Sequence, residues 1–67
     1  MKIEVKYEDG WIEFSNGYPI EISRIKSPLH LVGWIAHLNE KDWFNETLLG
    51  EFIDLVCEHY KWEYHGL

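Results

Sequence analysis

The stretch Ile3-Glu4-Val5-Lys6-Tyr7-Glu8-Asp9-Gly10-Trp11-Ile12-Glu13-Phe14 decides the fold. Apolar and charged residues alternate on both sides of Asp9-Gly10, a dipeptide favoured in two-residue hairpin turns. A turn there sets a register, with Tyr7 opposite Ile12 and Val5 opposite Phe14. On the other face Lys6 meets Glu13 and Glu8 meets Trp11. The apolar pairs share one face and the opposite charges share the other, which is the pairing that stabilises a sheet. Trp11 then falls on the sheet face turned away from the core.

Downstream, Asn16-Gly17 marks a second turn, and Ile20 and Ile22 alternate with Glu21 and Ser23. A two-residue loop would set Ile12 opposite Glu21 and place a charge in the core. A three-residue loop, Asn16-Gly17-Tyr18, pairs Phe14 with Ile20 and Ile12 with Ile22, and is therefore the expectation. Pro19 lacks a backbone donor, which suits an edge strand.

Ser27-Pro28 reads as an N-cap followed by proline at the first helical position. Leu31, Trp34, Ile35 and Leu38 follow helical spacing. Leu29, Val32 and Ala36 widen the apolar arc and leave His30, Gly33 and His37 in the narrow remainder. So wide an arc predicts a helix sandwiched between the sheet and a second helix. After a connector, Asn39–Phe44, Asn45 is the expected cap of that second helix, with Glu46 in its first turn. Leu48, Leu49, Phe52, Ile53, Leu55, Val56 and Tyr60 form its apolar face. The fold class expected is α+β, a single domain over residues 1–67, with a three-stranded antiparallel meander followed by two helices packed on one face.

A chain this short buries only about 60% of its unfolded surface, so it needs help to be stable. Its single cysteine, Cys57, excludes an intrachain disulfide. Aromatic bulk is the substitute: four Trp, four Tyr and three Phe, each able to bury about 150–250 Å². The charged, alternating start Met1-Lys2-Ile3-Glu4-Val5-Lys6 has no apolar leader core, and no apolar run reaches the roughly 18 residues of a membrane span. A cytoplasmic protein with no membrane association is expected. Net charge is −6, with 12 acids against 6 Lys and Arg. That surface repels phosphate backbones and disfavours nucleic acid, and it attracts a basic protein surface.

The four histidines and Cys57 do not match metal-ligand spacings. His30 and His37 are two helical turns apart, and Cys57 and His59 point apart on a helix. No metal and no cofactor are expected. His59 projects into the apolar face of the second helix, where a hydrogen-bonded core histidine is the expectation. No nucleophile motif, phosphate loop or redox pair occurs, and Cys57 beside an apolar face has its thiol pKa pushed up rather than down. So few residues also leave little room for a pocket of about 300 Å³ or more. The chain is therefore expected not to be an enzyme. The candidate binding residues are Glu51, Asp54 and Glu58, one stripe on the polar side of the second helix, together with Trp11. Trp43, Trp62 and Tyr64 are further aromatic candidates. The plainer expectation is that the stripe is a solvated face, and that the aromatics pack locally with the C-terminal tail over the outer sheet.

The residues Pro19-Ile20-Glu21-Ile22, Arg24, Pro28, Leu31, Trp34, His37-Leu38, Lys41, Trp43 and Phe52-Ile53 form a recognisable series. Through them, from Tyr18 to Ile53, the chain resembles small, largely uncharacterised proteins of bacteriophages and prophages. The string Trp-x-x-His-Leu-x-x-Lys-x-Trp is its most specific part. The resemblance covers about half of the chain, excludes the N-terminal hairpin and assigns no activity to a residue. It implies a mobile-element origin and a protein that binds and blocks a host protein, anti-CRISPR proteins being one such class. A small structural subunit, or a homodimer that buries exposed apolar groups by self-association, is the alternative.

Overall fold

The structure, a computed structural model, describes residues 2–63. Three antiparallel strands, β1 (Val5–Glu8), β2 (Trp11–Phe14) and β3 (Tyr18–Glu21), form one sheet in the order β1-β2-β3. A 3-10 turn at Ile22–Arg24 leads to α1 (Pro28–Leu38), and a turn-rich connector leads to α2 (Glu46–Tyr60). Ile12, Phe14 and Ile20 from the sheet, Leu31 and Leu38 from α1, and Leu48, Phe52 and Val56 from α2 belong to one buried cluster. Both helices therefore lie on the same face of the sheet, and the class is α+β.

The first hairpin has the expected register, with Val5 opposite Phe14, Lys6 opposite Glu13, Tyr7 opposite Ile12 and Glu8 opposite Trp11. Asp9 and Gly10 both take positive φ, 51° and 85°, as a type I′ turn requires. The second hairpin differs from expectation. Ile12 pairs with Ile20, and Phe14 pairs with Tyr18 rather than Ile20. The loop does have three residues, but they are Ser15-Asn16-Gly17. Gly17, at φ 94°, takes the last loop position, and its N–H donates to the Phe14 carbonyl at 2.9 Å. Only a residue at ease with positive φ suits that position, so glycine sets the loop. A shift of two residues leaves every side chain on its expected face. Ile22 is consequently outside the ladder, in the 3-10 turn, where it is still buried. Pro19 lies on the edge strand β3.

Both helix caps are as expected. The Ser27 hydroxyl accepts from the His30 N–H at 3.2 Å, and the Asn45 side-chain oxygen accepts from the Leu48 N–H at 2.9 Å. The α1 helix is not sandwiched, however. Its inner arc buries Leu31 and Leu38, while Leu29 and Val32 are 78% and 59% exposed. The reason is the docking of α2, which lies over β1 instead of over the outer side of α1, while Trp43 and Phe44 of the connector pack beside Phe14 in the core. Lys61 ends α2 at φ 62°. Its N–H donates to the Glu58 carbonyl and the Trp62 N–H to the Cys57 carbonyl, the Schellman arrangement that satisfies the last carbonyls. Left-handed backbone costs a residue with a side chain about 1–2 kcal/mol. Lys61→Gly is therefore expected to raise the melting temperature by a few degrees, and a calorimetric scan that shows a fall would mean that the side chain itself anchors the helix end.

Candidate interaction surfaces

Two surfaces carry the sequence-predicted binding residues, and they lie on opposite layers of the molecule. Helical spacing puts Glu51, Asp54 and Glu58 on one side of α2, opposite Leu48, Phe52 and Val56. All three acids are exposed. Trp11 alternates with the buried Ile12 and Phe14, so it lies on the outer sheet face and is 42% exposed. Its direct cross-strand neighbours are Glu8 on β1 and Glu21 on β3. Lys6 pairs with Glu8 at 3.3 Å and Arg24 with Glu21 at 4.0 Å, both at exposed positions, where such pairs contribute little to stability.

Trp43 and Trp62 turn inward. Trp43 packs against Phe14 at 5.0 Å and Tyr18 at 5.4 Å between ring centroids. Trp62 stacks on Tyr60 at 4.6 Å, with an interplanar angle of 15°, and the Tyr60 hydroxyl donates to the Ile22 carbonyl at 2.9 Å. The chain after α2 thus begins against the helix layer, not over the outer sheet. Tyr64 and the rest of the expected tail cover lie outside the described residues. Local packing of these aromatics was the plainer expectation, but their partners were not legible, because they come from two strands, the connector and α2 with no common period.

His59 departs from expectation. It is exposed, not a core residue, and its ring meets Tyr7 at 5.3 Å and Tyr60 at 4.7 Å. It lies in the last turn of α2, beside Tyr7 of the edge strand β1, which is itself 39% exposed. His37 shares a hydrogen bond with the Tyr18 hydroxyl at 3.1 Å, and the His30 Nδ1 accepts from the Lys26 N–H at 3.3 Å. Among the described residues no group of three or more His, Cys, Asp or Glu is arranged to hold a metal ion. No helix among them is long and apolar enough to cross a membrane.

Cys57 is buried. Desolvation, and then the carboxylate of Asp54, push its thiol pKa above the ordinary value of 9.0. The folded chain thus holds this proton more tightly than the unfolded chain. The stabilisation is present in full below the unfolded pKa and is lost as pH rises through the folded value. Alkylation by iodoacetamide is expected to be much slower in the native protein than in denaturant, and alkaline pH is expected to lower the melting temperature. Native alkylation at the denatured rate would place the sulfur at the surface.

Shallow hollows do reach the volume expected to be too large for this chain. One of about 500 Å³ lies over Glu4, Val5, Lys6, Glu13, Phe14, Ser15 and Gly17. Another of about 430 Å³ lies along Arg24, Leu29, His30, Gly33, Trp34 and His37. Both are open dents between side chains, a form that needs no thick enclosing wall. No family model, curated protein or solved structure matches the chain.

Proposed function

We propose that this chain is a small acidic phage-type protein that acts by stoichiometric contact, binding a basic surface of a host protein and inhibiting or modulating it. An anti-CRISPR role, with a CRISPR effector as the bound protein, is the form of this reading that the phage resemblance suggests. The observation that carries it is the exposed row Glu51, Asp54 and Glu58 on the outer side of α2, in a chain of net charge −6. Three like charges within about two turns weaken an isolated helix slightly. None of the three belongs to the buried cluster, and together they would steer a basic surface toward α2 and fix its register. A rival reading puts the contact on Trp11, between Glu8 and Glu21 on the outer sheet face. The reading involves no catalysis and no cofactor, and it places the encounter in the host cytoplasm without nucleic acid or membrane. Capture from a host lysate with the tagged chain, followed by mass spectrometry, tests it. A basic host protein retained at low salt and released at high salt is expected. A partner retained through nucleic acid, and lost on nuclease treatment, would contradict the reading.

A further inference from the structure

The longest acid-free run of the chain is also its most exposed apolar one. No Asp or Glu occurs between Glu21 and Glu40, whereas all 12 acids lie outside that interval. Within it, α1 exposes Leu29 at 78% and Val32 at 59%, with Gly33 and Ala36 exposed beside them. Helical spacing gathers these four residues into one stripe on the side of α1 away from the core. Gly33 lowers the stability of a helix interior, and no contact within the fold requires it, because a Cβ there would meet nothing within 4 Å.

We propose that this stripe is the contact surface of a symmetric dimer, in which α1 of one copy packs antiparallel against α1 of a second. The stripe is complementary to itself. A two-fold axis between Val32 and Gly33 sets Leu29 opposite Ala36 of the other copy and Val32 opposite its Gly33. Each large residue then faces a small one, and each contact occurs twice, as an isologous interface requires. Glycine at the crossing lets the helix axes approach closely. The antiparallel pairing also brings the segment before α1, with the exposed Arg24 and Lys26, toward the segment after α1 of the other copy, with the exposed Glu40 and Asp42 on either side of the half-buried Lys41. Two chains of charge −6 repel one another on approach, and a contact through this acid-free stripe keeps their carboxylates apart. An α1 of 11 residues is only about 16 Å long, so the interface is small and the dimer dissociates on dilution. The outer side of α2 and the outer sheet face stay free in this arrangement, which does not depend on the acidic row having a partner.

The test is the mass of the purified chain in sedimentation equilibrium, over a concentration series reaching the millimolar range. The parent is expected to pass from 8.1 kDa to twice that mass. Gly33→Gln puts a long side chain at the crossing and favours the helix itself, so it should stay monomeric throughout, with a melting temperature at high dilution no lower than the parent's. Leu29→Asp, at a position that lies outside the core, gives a second reading of the same kind. A parent that remains at 8.1 kDa overturns the proposal and leaves the stripe to another partner. A parent that dimerises while both variants dimerise equally well also overturns it, because the contact then lies elsewhere.

Discussion

Phe52→Ala is expected to unfold most of the protein at physiological temperature. Phe52 is fully buried, on the inner side of α2, with its ring 6.2 Å from that of Phe14. Phe14 in turn touches Tyr18, Trp43 and Phe44. Truncation at the junction of both layers removes the ring's transfer free energy and leaves a void that the surrounding rings cannot fill without leaving their own contacts. The cost is about 3–5 kcal/mol. A chain of this length has only about 3–10 kcal/mol in total, at the usual stability per residue. The melting temperature should fall by more than about 12 °C, followed by circular dichroism. Leu31→Ala should be the milder member of the pair, because Leu31 retains 7% exposure on the outer edge of the cluster. Leu29→Ala, on the exposed stripe, should hardly change the melting temperature at high dilution. If Phe52→Ala melts with the parent, the aromatic cluster is not what holds the layers together.

What was legible in the sequence follows the range of the interactions that set it. The first hairpin was legible to the residue because Asp9-Gly10 prescribes the turn, and the alternation on either side then prescribes the register. The caps Ser27 and Asn45 were legible because each acts within three residues of itself. The second hairpin was legible only in loop length. Phe14, Tyr18, Ile20 and Ile22 all present apolar groups to the same face, so two registers bury comparable side chains, and the choice rests on which loop position Gly17 occupies. The exposure of Leu29 and Val32 was not legible, because it depends on where α2 docks, over β1 rather than over the outer side of α1. His59 misled for a similar reason. Its position on the helical wheel is apolar, but in the last turn of α2 it meets Tyr7 of the edge strand β1, which is itself 39% exposed. The exposure of Glu51, Asp54 and Glu58 was legible, since helical spacing sets the three acids opposite the apolar arc of α2.

Reversing that row is expected to have the largest effect on binding. Glu51→Lys, Asp54→Lys and Glu58→Lys together change the charge by +6, bringing the chain from −6 to zero. A basic partner surface would then meet three like charges where it had three opposite ones, a juxtaposition that costs several kcal/mol. The affinity should fall by more than about a hundredfold, the equivalent of some 2.8 kcal/mol. The fold should survive, because all three positions are exposed and none contributes to the buried cluster. In the last turn of α2, Glu58→Lys also replaces an acid with a base, which suits that end of the helix dipole better. The parent's affinity should weaken with added salt, since exposed charges are screened over about 8 Å at physiological ionic strength. Trp11→Ala separates the two faces: if the contact lies on α2, this variant binds within a few fold of the parent. The most direct measurement is therefore a calorimetric titration of the captured host protein with the parent, the triple reversal and Trp11→Ala, each at low and high salt. The account predicts a salt-sensitive parent, a triple reversal with no measurable binding and a nearly unaffected Trp11→Ala. A triple reversal that binds as tightly as the parent would contradict it, and would leave Glu51, Asp54 and Glu58 as a solvated helix face.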